Sequence, residues 1–213
     1  MPEYGWSLLS IFMSCHDLRQ SEVSNLHGLI GYNEQASFQE TARLIAQIDQ
    51  HKVIRQEHKE LLKLMIHGST FGKGEVTMGN IYTGNLVEYI LQNIEYFDAT
   101  DKEIAYIACD IDTANVAADL TDYTKSSMNV YNEMQNISNG EISAQTFFGK
   151  QQIQYFFELQ KFHSKLGAQA FAQQKAKNAP KIKQLSNVIQ QLDSSLTNDE
   201  IIDIYLTHAG SQL

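Results

Sequence analysis

The chain has 213 residues, of which 43% are hydrophobic and only two are proline. A chain of this length buries roughly 70% of the surface that its unfolded form exposes, so a core forms without disulfides. Its 16 basic and 25 acidic residues give a net charge of −9, which argues against a protein that binds the phosphate backbone of nucleic acid. No apolar stretch approaches the roughly 20 residues of a membrane-spanning helix, and two cysteines do not make a disulfide framework. We therefore expect a cytoplasmic protein that binds neither nucleic acid nor membrane.

Helical patterns dominate the chain, and the predicted fold is all-α: a bundle of about six or seven helices in a single helical domain over 1–213. Capping boxes, in which a Ser or Thr stands three residues before a Glu, mark helix starts at Ser37, Thr100 and Thr197. Together with the apolar periodicity they predict helices near 6–20, 38–67, 85–97, 101–136, 144–178, 181–192 and 198–208.

The second predicted helix, near 38–67, is long and has few breakers, and it places His51 and His58 on one face. Five glycines follow in the connection near 68–84, a density that a helix does not tolerate. This connection is predicted as a loop, or at most as a small hairpin that turns at Gly72–Gly74.

Two later segments carry opposite charge. Residues 98–122 hold seven acids and one base, whereas residues 150–183 hold seven lysines and one glutamate. The acidic segment also has two apolar faces, which predicts a central helix with Asp112 and Asp119 on one ridge. We expect the two segments to be antiparallel neighbours. Pro180 is predicted to end the basic helix, because proline lacks the N–H that a helix interior requires.

No constellation in the sequence predicts a catalytic, metal or cofactor site. His51 and His58 are seven residues apart, about 10 Å along a helix, which is too far for two ligands of one ion. Cys15 and His16 are adjacent, and neighbouring residues on a helix point about 100° apart. Asp112, Asp119 and Asp122 form an acidic ridge, for which a solvated surface is the simpler interpretation.

The leading functional hypothesis is therefore a non-enzymatic interaction protein of the inhibitor, immunity or adaptor type. It would bind another protein, possibly a basic one, or a second copy of itself. The predicted partner-binding residues are Ile153, Phe157, Phe171, Asp112 and Asp119. The alternative is a helical sensor or enzyme that holds a small ligand or a metal between helices, with His51, His58 and the carboxylates of 110–122.

Overall fold

The computed structural model describes residues 1–19, 31–77 and 80–211, and these residues are mostly helical. The all-α prediction is confirmed, because the strands within these described residues are confined to one two-stranded antiparallel sheet. The helices are α1 (Glu3–Cys15), α2 (Tyr32–Ile48), α3 (Gln56–Gly68), α4 (Val87–Gln92), α5 (Ala99–Asp112), α6 (Leu120–Ile137), α7 (Lys165–Gln190) and α8 (Asn198–Ser211). The strands are β1 (Phe71–Thr77) and β2 (Asn80–Asn85). No helix among the described residues is long and apolar enough to cross a membrane.

Contacts divide the chain into two compact units. The first unit comprises Met1–Asp112 and Lys161–Gly167, and the second comprises Thr113–Gln160 and Ala168–Leu213. The single domain predicted over 1–213 stays a prediction, since compact units can fold together or separately.

In the first unit, α1, α3 and α5 pack around a common apolar core. Each helix contributes side chains at helical spacing, so one face of each is removed from water. The fully or almost fully buried residues include Leu8, Phe12, Leu62, Met65, Ile66, Ile104 and Ala108.

The second unit has its own core, in which α6, α7 and α8 are joined by an irregular helix at residues 144–159. Two stretches of that helix, Thr146–Gln151 and Gln154–Leu159, have the wider π-helical backbone. Aromatic rings dominate the packing, and Phe148 stacks on Tyr205 with ring centroids 4.1 Å apart.

The long helix predicted near 38–67 is wrong, because the chain breaks between α2 and α3. The Asp49 carboxylate accepts hydrogen bonds from the backbone N–H groups of Val53, at 2.8 Å, and Ile54, at 2.9 Å. Lys52, in the same break, has a positive φ of 51°, a left-handed conformation that a right-handed helix does not contain. His51 lies in this break, so His51 and His58 do not share a helix face.

The Gly-rich connection near 68–84 contains a hairpin. Strands β1 and β2 pair from Phe71 with Asn85 to Thr77 with Asn80. Gly72 pairs with Gly84 inside the ladder, so the turn predicted at Gly72–Gly74 is wrong. The connection between the strands, residues 78–79, lies outside the described residues.

The helix predicted over 101–136 is also divided. α5 ends at Asp112, a short 3-10 turn covers Ala114–Ala117, and α6 begins after Asp119. The Asp119 side chain accepts a hydrogen bond from the Asp122 backbone N–H and caps the new helix.

Pro180 does not end a helix, contrary to the prediction, because α7 continues through it to Gln190. The residues after the proline provide the reason. Ile182, Leu185 and Ile189 are completely buried in the second unit, so their packing offsets the hydrogen bond that proline cannot donate.

Candidate metal centre

A histidine at the end of α1 organises a cluster of ionisable side chains in the first unit. The His16 Nδ1 atom lies 3.0 Å from the Phe12 carbonyl oxygen, and the imidazole ring stacks on the Phe12 ring. With Nδ1 directed to a carbonyl, Nε2 is the atom that faces the cluster. This arrangement fixes the position of the ring.

Two carboxylates converge on the His16 Nε2 atom. An oxygen of Asp17 and an oxygen of Asp112 each lie 3.0 Å from it. Asp112 is the last residue of α5, whereas Asp17 lies in the turn directly after α1. One ligand atom from each of the three residues lies within 4.8 Å of the other two.

The electrostatics of the cluster favour a cation. Burial lowers the pKa of His16, but hydrogen bonds to Asp112 and Asp17 outweigh burial and raise the pKa to about 10. The imidazole is therefore a cation at neutral pH when no metal is present. A divalent metal ion would replace that proton at Nε2, next to the same two carboxylates.

Glu34, in the first turn of α2, belongs to the same electrostatic environment. Burial raises its pKa, Asp17 and Asp112 raise it further, and His16 lowers it. Its carboxylate lies tightly against Gly31, where an added Cβ would come 1.8 Å from Glu34 Oε2. Glycine at position 31 is therefore the residue that leaves space for this carboxylate.

The residues present fit a divalent metal ion. Metal-binding histidines commonly direct the second ring nitrogen to a backbone carbonyl, as His16 does with Phe12. One imidazole nitrogen and two carboxylate oxygens form a mixed donor set of the kind used for Zn²⁺, Mn²⁺ and Fe²⁺. The Asp17 side chain is 51% exposed, so one side of the cluster is open to water.

The predicted partner-binding residues lie in different parts of the chain. Asp112 belongs to the cluster in the first unit, and Asp119 is the exposed cap of α6 in the second unit. Phe157 is 44% exposed on the second π-helical stretch. Ile153 and Phe171, also in the second unit, are half-buried. Their role in binding a partner stays a prediction.

The histidines of the alternative hypothesis lie outside the cluster. His51 is exposed in the break after α2, and the His58 ring stacks on Tyr4 with centroids 5.1 Å apart. One carboxylate of 110–122 is deeply buried: Asp110 accepts hydrogen bonds from the backbone N–H groups of His163 and Ser164 and from the Ser164 hydroxyl. Asp110 thus anchors a loop, while Asp112 is the acid that meets a histidine.

This centre is not apparent in the sequence, because its members come from distant positions. The angle of about 100° between Cys15 and His16 applies only if both residues belong to one helix. α1 ends at Cys15, however, so Asp17 lies in a turn and is able to approach the His16 ring. The available signal was the adjacent His-Asp pair at a helix end. Asp112, 95 positions after Asp17 in the sequence, could not be assigned to it.

No protein-family model, no curated protein and no solved structure matches this chain.

Proposed function

We propose that the protein binds a divalent metal ion in its first unit and uses it to catalyse hydrolysis. The observation that carries this proposal is the convergence of Asp17 and Asp112 oxygens on the His16 Nε2 atom, each at 3.0 Å. It corresponds to the alternative hypothesis of an enzyme with a metal between helices, but with a different set of ligands.

The number of donors favours a catalytic centre over a structural one. Structural metal sites are normally closed by four protein ligands, whereas catalytic sites keep a position for water. Here three side chains converge, and Asp17 is half exposed to solvent. A divalent ion at this position would lower the pKa of a bound water and so supply a nucleophile at neutral pH.

Calorimetric titration of the metal-free protein with Zn²⁺ and Mn²⁺ tests the first half of the proposal. We expect one equivalent to bind. His16→Gln and Asp112→Asn should weaken binding by more than about 100-fold, because loss of even an outer-shell partner costs about 10- to 100-fold. His58→Gln and Asp122→Asn remove the same chemical groups elsewhere and should bind like the wild type. Equal affinity in all four variants would contradict the proposed centre.

The catalytic half is tested separately with the metal-loaded protein and chromogenic phosphate and carboxylate esters. We expect turnover that disappears with a chelator and in Asp112→Asn, and that persists in Asp122→Asn. If the protein binds the ion at this centre but hydrolyses neither class of ester, the metal site is supported and the proposed hydrolase activity is contradicted.

Protein binding is the second candidate function, and the exposed Phe157 ring is the observation that favours it. Its neighbour Phe156 is buried, with ring centroids 4.9 Å apart, so Phe157 extends an aromatic core outward. Exposed aromatic residues beside a core are typical anchors of protein interfaces. Ile153 and Phe171, which are half-buried, and Asp119, which is exposed and would suit a basic partner, are the other residues of the second unit predicted to bind a partner.

Phe157→Asp tests this second function. Exposure of the ring predicts a small effect on stability, whereas binding of any partner that is captured by the wild-type protein should fall by at least about tenfold. Leu206→Asp, at another exposed apolar position of the second unit, is the matched control. If both variants bind the partner with equal affinity, Phe157 does not belong to the interface.

A cytoplasmic location fits both functions. Cys15 and Cys109 form no disulfide with each other, and Cys109 is buried in the apolar core of the first unit. Free thiols of this kind are usual in a reducing compartment.

A further inference from the structure

The helix α7 is basic along its whole length and contains no acidic residue. Residues 159–192 hold six lysines and neither Asp nor Glu, in a chain whose net charge is −9. Five of these lysines belong to α7. This helix is therefore a basic element in an acidic protein, and charge of that kind attracts partners of the opposite sign.

One side of α7 is exposed throughout the second unit. The exposed residues at the centre of this outer face recur at helical spacing, and they are Gln169, Gln173, Ala176, Pro180 and Asn187. The opposite side enters the core, where Ile182, Leu185 and Ile189 are completely buried. From Gln169 to Asn187 the outer face extends for about 27 Å.

Two lysines border this outer face. Lys177 and Lys183 are both exposed, and they lie about 120° apart around the helix and about 9 Å apart along it. Within the part of the chain that the structure describes, neither ammonium group forms an ion pair or a hydrogen bond. The predicted pairing with the acidic segment 98–122 does not neutralise these two lysines, and Asp122 of that segment is paired with Lys125 of its own helix.

Neighbouring elements that carry acids pack on the buried side of α7. The Asn178 side chain, on that side, donates a hydrogen bond to the Ala118 carbonyl oxygen at 2.7 Å, and Asp119 follows directly. The acidic helix α8 shares the buried core through Ile201 and Tyr205. Both elements therefore leave the outer face of α7 uncovered.

The composition of the outer face indicates which kind of partner covers it. Binding to nucleic acid requires a denser cluster of cations, and a net charge of −9 repels a polyanion at long range. A helix that binds a membrane carries large apolar residues beside its lysines, whereas the centre of this face has Gln, Ala, Pro and Asn. Small and polar side chains between two lysines instead suit a second helix with carboxylates along its edges, as in charged helix pairs.

We propose that the outer face of α7 binds an acidic helical segment of another protein, with carboxylates of that segment at Lys177 and Lys183. The interaction does not depend on the metal centre or on Phe157. Because both lysines are exposed to solvent, the attraction should speed association and weaken as salt is added.

Fluorescence anisotropy tests the proposal with a labelled alanine-based helical peptide of about 20 residues, the length of the outer face, that has Glu at every third or fourth position. The same peptide with Gln in place of each Glu is its control and should not bind. The affinity of the wild type for the Glu peptide should fall as salt rises from about 20 mM to about 200 mM.

Two double variants locate the interaction. K177Q/K183Q should weaken binding of the Glu peptide by at least about fivefold, because it removes both cations of the outer face. K150Q/K161Q removes two other exposed lysines of the basic segment and should bind like the wild type. In NMR spectra the peptide should shift amide signals within residues 169–187, and circular dichroism verifies that both variants are folded.

Absence of binding to the Glu peptide at low salt, equal affinity in both double variants, or equal binding of the Gln peptide would overturn the proposal. Two further results would assign the face to a different occupant and would overturn it as well. One is tighter binding of single-stranded DNA or of phosphatidylserine vesicles through Lys177 and Lys183. The other is self-association of the wild type that K177Q/K183Q abolishes.

Discussion

His16 and His67 are two buried histidines of the first unit with opposite electrostatic surroundings. His16 faces two carboxylates, and its pKa is raised to about 10. Among the residues that the structure describes, none forms a hydrogen bond with the His67 Nε2 atom, and burial, assisted by the charge of Lys63, lowers the pKa of His67 to about 4. At neutral pH the first ring is a cation and the second is neutral. Position relative to acids, and not burial alone, decides the charge.

The first prediction is that the imidazole of His16 in the metal-free protein titrates near pH 10, as measured by NMR. Asp112→Asn should lower this midpoint, because it removes one of the two acceptors. A raised pKa means that the proton stabilises the folded state fully below the unfolded value of about 6.5. This contribution is lost as the pH rises through about 10.

The same proton competes with the metal for Nε2, so the affinity for Zn²⁺ should rise about tenfold per pH unit between neutral pH and pH 10. An affinity that is independent of pH in this range would show that the metal does not displace the His16 proton. His67 serves as the internal reference, because it stays neutral throughout.

Helix caps illustrate how far single residues can be predicted. The box at Thr197 and Glu200 is confirmed, with the Thr197 hydroxyl 2.8 Å from a Glu200 carboxylate oxygen. The box at Ser37 is wrong, because Ser37 is buried inside α2 and accepts a hydrogen bond from the Arg19 backbone N–H. The start predicted at Thr100 is wrong as well, since Asp98 accepts the first N–H groups of α5. The capping-box motif is local in the sequence, but whether it caps a helix depends on which polar group lies nearest to the first N–H groups of that helix.

At the scale of elements, breaks were harder to predict than helices. Asp49 follows the end of α2 and Asp119 precedes the start of α6, and each side chain accepts hydrogen bonds from backbone N–H groups. Neither residue stands beside a proline or glycine. Pro180 has the opposite behaviour, since α7 passes through it. In the sequence, an acid that caps a helix cannot be distinguished from any other surface acid. A proline likewise does not indicate whether the next helical turn will be stabilised by packing.

The second prediction concerns this proline. Pro180→Ala should raise the free energy of unfolding by about 1–3 kcal/mol, because it restores a backbone donor inside α7. Pro180 is exposed, so little side-chain packing is lost. Chemical denaturation measures the change, with the exposed Gln184→Ala as the control that should alter stability only slightly. A less stable Pro180→Ala variant would mean that the proline ring contributes more to α7 than the restored hydrogen bond does.

At the scale of the whole chain, the two charged segments meet differently from the prediction. Within the first unit, Glu103 accepts from the Lys165 backbone N–H at 3.1 Å, and Asp110 accepts from those of His163 and Ser164. These acids therefore contact the backbone of the basic segment. A carboxylate forms a stronger interaction with a fixed backbone N–H group than with a partner in an exposed ion pair, which contributes only about 0.2–1 kcal/mol.

The third prediction is that metal binding protects one unit. Amide hydrogen exchange should slow at the end of α1 and the end of α5 when Zn²⁺ is added, because a ligand that binds the native state suppresses local opening. The second unit holds none of the three proposed ligands and should exchange at unchanged rates. His16→Gln should abolish the difference. Equal protection in both units would contradict a centre confined to the first one.

The sequence by itself determined the helical class and the apolar faces, because the 3.6-residue period is a local property of the chain. Only the tertiary structure decided that α5 ends where Asp112 meets His16, and that Asp17 joins them from a turn. Such a centre depends on contacts between residues far apart in the chain, and the packing of the first unit alone fixes those distances.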